Sequence, residues 1–85
     1  MTAPAQTFGQ RRVRCGFNPS GNDAVDGIKR RAAELIDLVD TWTPRTAEAL
    51  RLKALAMTAI EEGSMWAVKA VTTAPAPESG NAAES

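Results

Sequence analysis

Between about Asp23 and Asp40 the apolar positions are Val25, Ile28, Ala32, Leu35 and Val39, in steps that alternate three and four. That spacing returns to one face of a helical turn and predicts an amphipathic helix. Ala33 and Ile36 widen the stripe, and Thr41-Trp42-Thr43 breaks it. Ahead of the stripe, Phe17-Asn18-Pro19-Ser20-Gly21-Asn22 is rich in turn formers. Ser20 or Asn22 can cap the helix, and Asp23 and Asp26 suit its positive N-terminal end.

A second helix is predicted from about Pro44 to Thr73, capped by Thr43, with Pro44 at the first position, where a missing N–H costs little. It is rich in alanine and leucine, both strong helix formers, and Gly63 weakens it by about 1 kcal/mol relative to alanine. Leu52, Ala56, Ala59, Gly63, Ala67 and Ala70 form a row of mostly small side chains, where another backbone can approach closely. Leu50, Leu55, Met57, Ile60, Trp66 and Val68 spread apolar surface around other faces.

At 1.5 Å per residue the two helices are roughly 27 Å and 45 Å long. An antiparallel hairpin would then leave about a third of the second helix, Ile60 to Val71, without a partner in its own chain. Two helices of this size bury little surface. The expected fold is therefore all-α: an antiparallel helical hairpin with one long second helix, assembling into a homo-oligomer. Residues 1–15 read as a flexible N-terminal arm, with Arg11, Arg12 and Arg14 near its end. Residues 16–73 read as the hairpin domain, and 74–85, with Pro75, Pro77 and Gly80, as a disordered tail.

Composition narrows the function. Eighty-five residues make one small domain. Ten Lys+Arg balance ten Asp+Glu, which argues against a general nucleic-acid coat but leaves room for a local basic pocket. The single cysteine, Cys15, excludes an intramolecular disulfide framework and fits a reducing compartment. No apolar run approaches the roughly 20 residues of a membrane span, and the arginines near the start are not followed by the apolar core of a secretory signal. A cytoplasmic location is expected. The chain has no histidine and no tyrosine. Cys15 thus lacks the usual activating base, zinc lacks its usual ligands, and no carboxylates have metal-loop spacing. No catalytic residue, metal site or cofactor is expected.

Two lysines beside apolar surface hold the remaining interest. Lys29 lies four residues after Val25 and three before Ala32, at the border of the stripe. It is either a stem that covers the core with its ammonium in water, or a cation aimed at a bound anion. Phe17 sits in a turn, outside any periodic pattern. It is either a staple onto the first helical turn or a face for a nucleobase, where stacking contributes about 1–3 kcal/mol. Met65, Lys69 and Thr72 share a face near the end of the second helix, with Ala70 leaving room beside them. A lysine there suits the helix dipole as readily as a phosphate. Trp66 reads as oligomer core, and Arg11 to Arg14 as a possible contact to nucleic-acid phosphates.

Gly63-Ser64-Met65-Trp66-Ala67-Val68-Lys69-Ala70-Val71-Thr72, with Pro75 three residues on, resembles the C-terminal helix signature of the phage anti-CBASS cyclic-oligonucleotide sponges, which share a helical-hairpin domain with an anti-Thoeris sponge. The segment from Phe17 to Ile28-Lys29 resembles the start of the first helix in the same family. The likeness spans about Phe17 to Pro75. It implies a non-enzymatic protein in the cytoplasm of an infected bacterial host. Such a protein assembles from hairpins, as a hexamer, and sequesters the cyclic di- and trinucleotide messengers of bacterial immunity without cleaving them. It implies that Phe17 stacks on a base and that Lys29 meets phosphate, with Asn18 counted in the same pocket. It also implies a second, cyclic-trinucleotide pocket at Lys69 and Ala70, with Thr72 nearby. Phenylalanine stands where a member of that family has tyrosine, and lysine at position 69 where it has arginine, so a hydroxyl and a bidentate fork are missing.

The physics of that reading is coherent. A two-fold interface presents the same residues twice to a ligand of approximate two-fold symmetry, and a three-fold junction of Lys69 would match a trinucleotide in the same way. A membrane partner is not expected, nor is a DNA or RNA polymer. The alternative function is a small helical scaffold or protein-interaction module of phage origin.

Overall fold

The computed structural model describes residues 5–73. Among them the chain forms three helices, α1 (Phe8–Arg12), α2 (Asp23–Thr41) and α3 (Ala47–Thr72), and no strand. The all-helical hairpin expected from the periodicity is α2 and α3. The tail expected over 74–85 lies outside the described residues.

Helix α1 lies within the segment read as an arm. Its ends are chemically specified. Thr7 and Gln10 form a reciprocal capping box: Gln10 N–H donates to Thr7 Oγ1 at 3.0 Å and Thr7 N–H to Gln10 Oε1 at 2.8 Å. At the other end Cys15 N–H reaches back to Gln10 O at 2.9 Å and Arg14 N–H to Arg11 O at 3.2 Å. Those two bonds are a Schellman motif, with Arg14 in the left-handed conformation (φ 60°) where glycine is usual. Gly9 lets α1 lie directly on α2. A Cβ there would stand 2.3 Å from the Ala33 carbonyl oxygen, and its N–H donates to Asp37 Oδ1 at 2.7 Å. Arg12 bridges to α3 through Glu61 at 2.7 Å, so α1 spans the groove between the two long helices.

The start of α2 is fixed by Asn22, whose Oδ1 accepts from Ala24 N–H at 2.8 Å, with Asp23 and Asp26 in the first turn. Its last carbonyls are satisfied from α3, where Lys53 Nζ donates to Asp40 O at 2.9 Å and Trp42 O at 2.7 Å. The cap of α3 is Thr46, which accepts from Ala49 N–H at 2.9 Å, not Thr43. Helix α2 runs through Thr41, so a helix starting at Pro44 would leave Trp42 and Thr43 alone to reverse the chain and cross the roughly 8–10 Å between helix axes. Three more residues make the turn feasible.

The antiparallel register places Asn22 beside Val71, with Asn22 Nδ2 donating to Val71 O at 3.2 Å, and Asp40 beside Lys53. This corrects the expected overhang. The end of α3 is paired along its length with α2, and the part that runs past α2 is the first turn and a half, Ala47 to Leu52. Met65 and Trp66 are exposed all the same.

The core is small. Val13, Ala33, Ile36 and Met57 form its buried cluster, with Phe8, Ala32, Val39 and Ile60 packed around it, and Val25 is buried further along α2. Ile36 and Val25 are the largest fully enclosed side chains among the described residues. The buried line of α2 is Val25, Lys29, Ala33 and Ile36, one step round from the expected stripe, because α1 and α3 cover α2 from two sides. Leu35, at the edge of that sector, is 46% exposed. The molecule is flat, with a smallest dimension of 12 Å.

Candidate functional site

The turn from Arg14 to Phe17 is where the three helices create a recess. Phe17 N–H donates to Arg14 O at 3.1 Å, closing the turn, and Gly16 supplies its positive φ of 90°. The turn is anchored from below by Lys29. Its ammonium donates to Arg14 O at 3.1 Å and makes a short hydrogen bond to Phe17 O. Lys29 is only 8% exposed. The structure therefore differs from the reading of Lys29 as a stem whose ammonium stays in water. The stem does not carry its charge into water, and two of the three ammonium donors are committed to main-chain oxygens.

Phe17 does not staple onto the helix. Its ring is 52% exposed and is attended by two cations, the Arg14 guanidinium at 4.5 Å from the ring centre and the Lys29 ammonium at 5.3 Å. Two shallow concavities adjoin it. The first, of about 230 Å³, is lined by Phe17, Asn18, Ser20, Val25 and Lys29, and from α3 by Val68 and Thr72. The second, of about 190 Å³, is lined by Val13, Arg14, Phe17, Lys29, Ser64 and Met65. Phe17 and Lys29 thus form the wall between them.

Four of the six residues singled out from the sequence, Phe17, Asn18, Lys29 and Thr72, share the first concavity. Lys69 and Ala70 are exposed on α3 and line neither. Asn18 is largely occupied with its own turn: Nδ2 donates to Asn22 O at 2.9 Å and Oδ1 accepts from Ser20 Oγ at 2.7 Å. Thr72 Oγ1 donates back to Val68 O at 2.8 Å and keeps lone pairs for an incoming donor. The lysine at 69 makes no ion pair among the described residues.

Val25, Ser64 and Val68 are not among the site residues the sequence points to, and Arg14 is named there only within the Arg11–Arg14 stretch read as a contact to nucleic-acid phosphates. Arg14 stands three residues before Phe17, which was the available signal, but the surrounding arginines suggested one basic stripe. They diverge instead. Arg11 donates to Gln6 O at 2.9 Å, Arg12 pairs with Glu61 and lies over the Phe8 ring, and Arg14 turns to Phe17. Cys15 sits behind the turn. Burial pushes its thiol above the ordinary range, and the attraction of Lys29 for a thiolate offsets only part of that. Among the described residues there is no cluster of metal-binding side chains, and no helix is long and apolar enough to cross a membrane.

The arrangement offers a planar apolar face, apolar lining from Val25 and Val68, and two cations near the ring, Arg14 exposed and Lys29 buried beneath the turn. Such a site suits a ligand with flat rings and negative charge. No curated protein and no solved structure matches the chain. The family model that describes the Acb2/Tad1 hairpin domain matches residues 10–72, a span that takes in most of α1, the turn carrying Phe17, and both long helices. The chain belongs to the Acb2/Tad1 hairpin-domain family, a family of cyclic-oligonucleotide sponges.

Proposed function

We propose that this protein binds and sequesters cyclic di- and trinucleotide messengers of bacterial CBASS-type immunity, releasing them intact, in the cytoplasm of a phage-infected host. The observation that carries this reading is the half-exposed Phe17, with two cations near its ring and Val25 and Val68 lining the concavity beside it. A base stacks on the ring, and the phosphodiester lies near Lys29, Asn18 and Thr72. Lys69 and Ala70, out on α3, belong to the second, trinucleotide pocket. A sponge holds its ligand without chemistry, so affinity rests on shape and charge alone.

The first concavity, about 230 Å³, is smaller than the roughly 300–1,000 Å³ of ordinary small-molecule pockets. It suits one base with its phosphate, and a whole cyclic dinucleotide requires a second copy of the site. Self-association supplies that copy. So flat a body leaves much apolar surface uncovered, and Leu35, Leu38, Trp42, Leu50, Leu55 and Trp66 are each more than 45% exposed. Six copies is the assembly this reading takes.

Calorimetric titration of the full chain with a panel of cyclic di- and trinucleotides tests the proposal, with the assembly mass measured by sedimentation. Saturable binding is expected, with unmodified ligand recovered after denaturation and loss of dinucleotide binding in Phe17→Ala. A monomer that leaves every ring free in solution would overturn it. An assembly with no small-molecule affinity would favour a scaffold instead.

A further inference from the structure

The recess contains two cations, and they are not equivalent. Lys29 is 8% exposed, and two of its donors are held by the carbonyls of Arg14 and Phe17. Arg14 is exposed, and its guanidinium rests on the open ring of Phe17 at 4.5 Å. Phe17 and Lys29 line both concavities and Arg14 only the second, which sets the guanidinium across the ring from Asn18 and Thr72.

The backbone at Arg14 points the same way. It occupies the left-handed position of the Schellman motif that ends α1, at φ 60°. Glycine adopts that conformation freely, and Gly16 and Gly21 do so nearby, at φ 90° and 69°. A long cationic side chain at such a position is disfavoured on local grounds, and residues that persist there are enriched at ligand clamps. The strain is held in place by Lys29, whose ammonium binds the Arg14 carbonyl.

We propose that Arg14 is the specificity-determining cation of this pocket, a second phosphate contact beside Lys29, whose bonds to the turn also hold Arg14 and Phe17 in register. This rests on the sponge reading. In the free protein the guanidinium occupies a face of Phe17. When a cyclic nucleotide arrives, the base takes the ring and the guanidinium turns to the phosphodiester, where its planar fork meets two non-bridging oxygens at once. Lys29 acts on that contact through the carbonyls it holds.

The test uses Arg14→Gly and Arg14→Lys in the full chain, with 3′,3′-cyclic di-GMP and 3′,3′-cyclic di-AMP as probes. Arg14→Gly removes the cation and relieves the backbone, so its denaturation midpoint should equal or exceed that of the unaltered protein. Its affinity for the tighter probe should fall by about tenfold or more, the scale of one charge-assisted hydrogen-bonded pair. The salt dependence of binding should flatten with it. Arg14→Lys keeps the charge and loses the fork, so it should recover only part of the loss. Binding by Arg14→Gly within twofold of the unaltered protein, with unchanged salt dependence, overturns the proposal and leaves the sponge reading standing. Failure of the unaltered protein to bind either probe, or any member of the wider panel, removes the sponge reading and this proposal with it.

Discussion

Gly9→Ala adds one methyl group where α1 crosses α2. The new Cβ would lie 2.3 Å from the Ala33 carbonyl oxygen, 2.9 Å from Asp37 Oδ1 and 3.0 Å from the Ala33 carbonyl carbon. Two of these three are backbone atoms of a neighbouring helix and cannot rotate away. Ordinary contact requires α1 to lift by about 1 Å. That displacement lengthens the 2.7 Å bond from Gly9 N–H to the Asp37 carboxylate and unseats Val13, which is buried against Ala33 and Ile36. Overpacking costs about 1–3 kcal/mol, and a weakened hydrogen bond to a charged group up to about 1.5–3 kcal/mol. Alanine returns up to about 1 kcal/mol of helix propensity, so the net loss should be about 2–4 kcal/mol. Urea denaturation followed by far-ultraviolet circular dichroism would measure it, at two protein concentrations because assembly contributes to the apparent stability. Gly27→Ala is the matched control. It lies in α2 with nothing within 4 Å of the added carbon, and should stabilise by up to about 1 kcal/mol. If both substitutions moved the midpoint in the same direction by similar amounts, α1 would not be seated on α2 as described.

Two further outcomes follow from the same bonds. Lys29→Met keeps an apolar stem but leaves the carbonyls of Arg14 and Phe17 without their shared donor, which should cost about 1–3 kcal/mol in a chemical melt. A Lys29→Met protein as stable as the original would mean that the ammonium does not anchor the turn. Thr46→Ala removes the side chain that caps α3 and should cost about 1 kcal/mol, whereas Thr43→Ala should be close to neutral; the reverse order would move the start of α3 back to Pro44.

Both long helices were legible because each carries several turns of periodic apolar residues. The start and end of α2 and the end of α3 fall within a residue of where pattern and turn chemistry place them. Helix α1 was hidden. Five residues make too little of a helix to show a period, and the arginines around it suggested a solvated arm. The Thr7–Gln10 capping box was a usable signal. The register of the hairpin could not be read from helix lengths alone, because it depends on loop length and on Asn22 and Lys53 bonding across to the opposite helix. At the site, Phe17 and Lys29 were visible as residues out of place in their patterns. What Lys29 holds was not visible, since carbonyls carry no sequence signature. Arg14 was visible only as one of a run of arginines, because its place beside Phe17 is conformational, and one-dimensional spacing does not encode a left-handed backbone.

The pairing of Asn22 with Val71 also has a practical side. It brings Thr73 out next to the mouth of the recess, while the loop from Trp42 to Arg45 sits at the opposite end of α2, whose 19 residues rise about 28 Å. A fluorophore or reporter fused directly after Thr73 would crowd incoming ligand. The same label grafted between Thr43 and Arg45 would stand clear of it, which makes the far loop the natural handle for a biosensor.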